Sequence, residues 1–116
     1  MPNPVVYWEI GAKDGEKLRG FYSEVFGWDI SPLPDVPYAT VETGGDGGIN
    51  GAILRTPGGR HSYVMLYVQV DDPQSYLDRI VNLGGQVIMP PTPIPNIGIY
   101  AFFADPEGNV FGLYKP

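Results

Sequence analysis

Two short β-rich runs carry the side chains with the most chemical potential. In Val5–Ile10, Tyr7 and Glu9 are two residues apart, so a strand presents both on one face and Trp8 and Ile10 on the other. In Val64–Val70, Met65 and Tyr67 alternate in the same way, and Tyr63 continues their face. A carboxylate beside phenols can move a proton or bind a cation, and aromatic rings suit the wall of a small-molecule pocket. Glu9 is the informative member, because a carboxylate is costly to bury unless something bonds it. Each residue has an ordinary reading as well. Tyrosines fill cores with their hydroxyls reaching water or a carbonyl, Met65 is an adaptable filler, and a Glu9 at a rim is simply solvated. Asn50, Ala52 and Leu54 alternate onto one face, as do Val110, Gly112 and Tyr114. The sole histidine, His61, stands in a Gly-rich linker without partners and reads as a surface residue. The glycines from Gly44 to Gly51 match neither the dinucleotide fingerprint nor a phosphate loop, and read as a flexible hairpin.

Composition narrows the partners. The 116 residues are 43% hydrophobic, normal for one globular domain, and no apolar run approaches the roughly 20 residues needed to span a bilayer. Met1-Pro2-Asn3-Pro4 lacks the basic start and apolar stretch of a secretory signal, and there is no cysteine, so a soluble, cytoplasmic chain without disulfides is expected. Seven basic and thirteen acidic side chains give a net charge of −6. The cations Lys13, Lys17, Arg19, Arg55, Arg60, Arg79 and Lys115 are scattered along the sequence, so neither nucleic acid nor membrane is an expected partner.

The elements that position these residues repeat. Leu18, Phe21, Tyr22, Val25 and Phe26 recur at helical spacing, with Asp14 placed as N-cap and Gly27 as a left-handed terminator, predicting a helix over Gly15–Phe26. Asp72, then Pro73, then the stripe Tyr76, Ile80 and Leu83 before Gly84-Gly85 predict a second helix over Asp72–Leu83. The pairs Asp14/Asp72, Gly27/Gly85 and Ile30/Ile88 are identical at a common offset of 58. Trp28–Ile30 and Gln86–Met89 read as short strands and Tyr38–Glu42 and Ile99–Ala104 as longer ones; a further strand follows each of the turns Gly44–Gly48 and Asp105–Gly108. The expectation is one domain over 1–116, built of βαβββ modules at about 4–55 and 62–115 joined by Thr56–His61. The segment Pro90–Gly98, with four prolines, reads as a lid, a wall, a subunit contact or a rigid connector.

Two such modules, with Gly20–Trp28 around the Phe21-Tyr22 pair and the segment Phe103–Tyr114 around Asp105-Pro106-Glu107-Gly108-Asn109, resemble the vicinal oxygen chelate superfamily. That family includes glyoxalase I, extradiol dioxygenases, methylmalonyl-CoA epimerase, fosfomycin-resistance enzymes and bleomycin-binding resistance proteins. The resemblance implies an α+β fold in which the two βαβββ modules form an eight-stranded curved sheet, a cup, with helices on the convex face. Metal-dependent members hold their ion with a His on the first strand of each half and a Glu or similar ligand on the last. The matching positions here are Tyr7, Met65, Ala52 and Gly112, which offer a phenol, a thioether, a methyl and a hydrogen. Neither a metal nor any other cofactor is therefore expected.

On the concave face that the resemblance implies, the expected ligand-binding residues are Tyr7, Glu9, Asn50, Tyr63, Met65, Tyr67 and Tyr114. The expected function is metal-independent binding of a small organic molecule, neutral or cationic and partly aromatic, of the resistance or sequestration type. One alternative is a metal-free enzyme that uses Glu9 with Tyr7 or Tyr67 for proton transfer. Another is a vestigial cup that serves protein interaction. A homodimer is expected, because family members commonly pair and Trp28, Pro32, Leu33 and the proline segment supply apolar surface.

Overall fold

The computed structural model describes residues 2–59 and 61–116; Met1, and Arg60 of the expected linker, lie outside the described residues. The chain is α+β and follows the order β1 (Val5–Ala12), α1 (Gly15–Phe26), β2 (Asp29–Pro32), β3 (Tyr38–Glu42), β4 (Gly51–Arg55), a 3₁₀ turn at Pro57–Gly59, β5 (Tyr63–Gln69), α2 (Pro73–Asn82), β6 (Gln86–Ile94), β7 (Gly98–Ala104) and β8 (Val110–Lys115). Both halves are therefore βαβββ. The contacts fall into two compact units, Tyr7–Val64 and the stretch through Val6 taken with Met65–Pro116.

In the first unit the strands run β2-β3-β4-β1, with β1 parallel to β4 and the other neighbours antiparallel. The helix starts and stops where its caps dictate. The Asp14 carboxylate accepts the Lys17 amide at 3.1 Å, and Gly27, at φ 70, donates its amide to the Ser23 carbonyl at 2.9 Å. Ala39, Val41 and Ile53 are buried on the helix-bearing face, and burying a side chain the size of Ile53 stabilises by about 1.5–3 kcal/mol. The apolar stripe of α1 is only partly used. Gly15 closes on the backbone of β4, where an added Cβ would stand 3.4 Å from the Arg55 nitrogen, and Leu18 and Tyr22 are half-buried. Phe21, Val25 and Phe26 are more than half exposed, because the helix meets the sheet through its first turn.

In the second unit the order is β5-β8-β7-β6, again with one parallel pair, β5 with β8. Val70, Leu77, Ala101 and Leu113 form its core, with Val68, Tyr76, Ile80 and Phe103 packed around them. Asp72 caps α2 by accepting the Ser75 amide at 3.4 Å, and Pro73 occupies the first turn. The C-terminal end corrects the expected stripe. Leu83 is the C-cap and 74% exposed, while Leu77, outside the stripe, is the helix's fully buried anchor.

The proline segment is also corrected. β6 continues through Pro90, Pro91 and Pro93 to Ile94, so most of the expected lid or connector is strand. It is tolerated there because β6 is an edge strand, paired only with β7, and its register slips between Val87 and Met89 and between Met89 and Thr92. The turn before β8 is held by Asp105, whose Oδ1 accepts the amides of Glu107 and Asn109, both at 2.9 Å. Among the described residues no helix is long and apolar enough to cross a membrane.

Candidate functional site

In the first unit, strand pairing sets Glu9 beside Ala52 and Gly11 beside Leu54, and Leu54 in turn beside Tyr38. Side chains in register share a face, so Tyr7, Glu9 and Tyr38 project from the side opposite the buried Ile53 and Ala39. Small residues make the room. Ala52 places only a methyl beside Glu9, and Gly11 leaves its face open to the Tyr63 ring, which lies where a Cβ at that position would stand.

Two hydrogen-bonded pairs result. The Tyr63 hydroxyl donates to Glu9 Oε2 at 2.6 Å, and the hydroxyls of Tyr7 and Tyr38 are 2.7 Å apart. Glu9 is 7% exposed, which corrects the reading of a solvated rim residue. Burial pushes the Tyr38 phenol well above its ordinary value, helped by the bond to Tyr7 and by the electrostatic influence of Tyr7, Glu9 and Tyr63 nearby. The Tyr63 phenol is raised by burial and then by its bond to Glu9. Both phenols therefore stay protonated throughout the neutral range, and Tyr63 donates its proton to the Glu9 carboxylate.

The other expected residues are placed differently. Asn50 is exposed, and its Oδ1 accepts the Thr43 amide at 3.1 Å, bracing the Gly-rich hairpin. In the second unit, Met65 and Tyr67 are buried and Tyr67 is in register with Gly112. The Tyr67 ring occupies the space that any side chain at 112 would need. Tyr114 is half-buried and donates to the Ile97 carbonyl at 3.2 Å.

Sequence reasoning missed three aromatics. Tyr38 was legible from the alternation of Tyr38, Thr40 and Glu42 against Ala39 and Val41. Tyr100 and Phe102 stack edge to face at 5.4 Å, and Phe102 meets Tyr67 at 6.2 Å.

The residues do not fit a divalent metal. Tyr7 and Ala52 in one unit, and Met65 and Gly112 in the other, supply no imidazole or carboxylate, and the Tyr67 ring fills the place of a ligand at 112. Among the described residues no group of three or more His, Cys, Asp or Glu could hold a metal ion.

A family model described as the Glyoxalase/Bleomycin resistance protein/Dioxygenase superfamily matches residues 5–113. The chain belongs to this superfamily. CFP32 of Mycobacterium bovis is 30% identical over 113 residues, covering 92% of this chain and 43% of that protein. The anthracycline biosynthesis protein DnrV of Streptomyces peucetius is 27% identical over 132 residues, covering 98% of this chain and 47% of its own length. The chain thus spans about half the length of these two superfamily relatives. Among solved structures, the hypothetical protein BH1468 of Bacillus halodurans superposes with a TM-score of 0.73 at 15% identity, covering 100% of this chain and 96% of that one. Likeness at that identity establishes the shared fold alone.

Proposed function

We propose that this superfamily member binds a small organic molecule, neutral or cationic and partly aromatic, at the Glu9 cluster without a metal ion, as a sequestration or resistance protein does. The observation that carries this reading is Glu9 itself, a nearly buried carboxylate held by a phenol that keeps its proton. Such a carboxylate selects cations and hydrogen-bond donors, and the tyrosine rings offer surfaces for stacking or for a cation. The net charge of −6 disfavours anions at this face. A relative named for anthracycline biosynthesis is in keeping with a small organic ligand.

The 2.6 Å bond between Tyr63 and Glu9 favours a second reading, a metal-free enzyme in which Glu9 takes a proton and Tyr63, rather than Tyr7 or Tyr67, steadies the carboxylate. A thermal-shift screen of aromatic amines and neutral aromatics, run on the parent and Glu9→Gln together, tests both. Binding raises apparent stability with the logarithm of ligand excess. The binding reading expects stabilisers whose effect falls in Glu9→Gln; the enzymatic reading expects turnover that Glu9→Gln abolishes while binding persists. Stabilisation only by polyanions, or equal stabilisation of both proteins, contradicts the site.

A further inference from the structure

A groove of about 580 Å³ opens on the helix-bearing face of the first unit, the side opposite Glu9. Arg55 lies two residues from the buried Ile53 on β4, and Pro32 pairs with the buried Ala39, which fixes that side. The groove lies at the carboxyl ends of the parallel strands β1 and β4, where the chain enters α1. Three of the chain's seven cations line it: Lys13, Arg19 and Arg55. Lys13 and Arg19 flank the start of α1, and the fold brings Arg55 of β4 to them. The acids in the lining are Asp14 and Glu16, and the Asp14 carboxylate is already engaged in capping α1 through the Lys17 amide. Among the described residues none of the three cations is held in an ion pair. The far wall is apolar, formed by Leu33, Val36 and Pro37 between β2 and β3, with Leu33 and Val36 exposed to water.

We propose that this groove binds a small organic anion: a single carboxylate or phosphate held by Lys13, Arg19 and Arg55, on an apolar body that covers Leu33 and Val36. A cluster of cations on a chain of net charge −6 marks one place where an anion is attracted rather than repelled. Arginine forks suit the oxygens of either group. The site is separate from the Glu9 cluster and has the opposite charge preference.

Amide chemical shifts of the full chain, followed by NMR during titration with benzoate and with phenyl phosphate, test the proposal. Saturable shifts at residues 13–19, 33–37 and 55 are expected for at least one of the two, and comparing them separates carboxylate from phosphate. Inorganic phosphate, which lacks the apolar body, is expected to bind more weakly than phenyl phosphate. Arg19→Gln with Arg55→Gln weakens binding by roughly tenfold or more, as does the pair Lys13→Gln with Arg55→Gln should Arg19 prove necessary for folding. Rising salt weakens it in the parent. Glu9→Gln leaves it unchanged, so failure here is distinguishable from failure at Glu9. No saturable shift with either anion, shifts that survive the arginine variants, or shifts centred on Tyr7, Glu9 and Tyr63 overturn the proposal.

Discussion

Replacing Tyr63 by Phe removes one hydroxyl and leaves the ring over Gly11, so the variant isolates the bond to Glu9. At 2.6 Å it is a short bond to a carboxylate that is 7% exposed. A hydrogen bond to a charged group is worth about 1.5–3 kcal/mol, against a total stability of about 5–15 kcal/mol for a domain. With a urea dependence of about 1–3 kcal/mol per molar, the midpoint is expected to fall by about 1 M. Glu9→Gln keeps the shape and an acceptor while removing the charge. In a double-mutant cycle by urea denaturation, the coupling between Tyr63→Phe and Glu9→Gln is expected to exceed about 1 kcal/mol. The pH dependence follows with its sign. The folded Tyr38 and Tyr63 hold their protons more tightly than the ordinary phenol at 10.0. Above about pH 10 the unfolded chain loses those protons while the folded chain keeps them, so stability declines as pH rises. Tyr63→Phe is expected to flatten that decline. Additivity of the two substitutions within about 0.5 kcal/mol, or an unchanged alkaline limb, would show that the Tyr63 hydroxyl does not stabilise Glu9.

Gly112→Ala forces its Cβ into the Tyr67 ring and should destabilise the chain by about 1–3 kcal/mol, read by urea denaturation; a neutral effect would show that the ring moves aside freely. The Asp105 carboxyl is held below the usual range chiefly by Asn109, so its turn is at full strength above the ordinary carboxylate value and loosens as pH falls through its own lowered one. Asp105→Ala should accordingly speed amide exchange at Glu107 and Asn109 at neutral pH. A homodimer is expected at micromolar concentration, covering the exposed Phe21, Val25 and Phe26, and light scattering that returns a monomer mass would count against it.

The helices were legible because their ends are written in single residues. Asp14, Gly27 and Asp72 each do at the backbone what their side chains or lack of one favour. The proline segment was misread because proline is the strongest local sign of a break, and nothing local shows that β6 stands at an edge where its missing amides cost nothing. Alternation placed Tyr7 and Glu9 on one face but could not show that Glu9 is covered. That depends on Tyr63, 54 residues away, reaching across Gly11. The approach of Arg55 to Lys13 and Arg19 was hidden for the same reason, since its distance from them in sequence gives no sign of it. Asn50 lies just ahead of β4, where strand alternation no longer sets its direction, and its bond to the Thr43 amide was not legible from that alternation.

A crystal structure of the chain with its strongest stabiliser from the aromatic screen, grown in a metal chelator, tests the Glu9 site most directly. The compound is expected against Tyr7, Tyr38 and Tyr63, with a nitrogen or hydroxyl within hydrogen-bond distance of the Glu9 carboxylate and no metal between them. A compound seated elsewhere, or one that binds only once a divalent ion is restored, would contradict it.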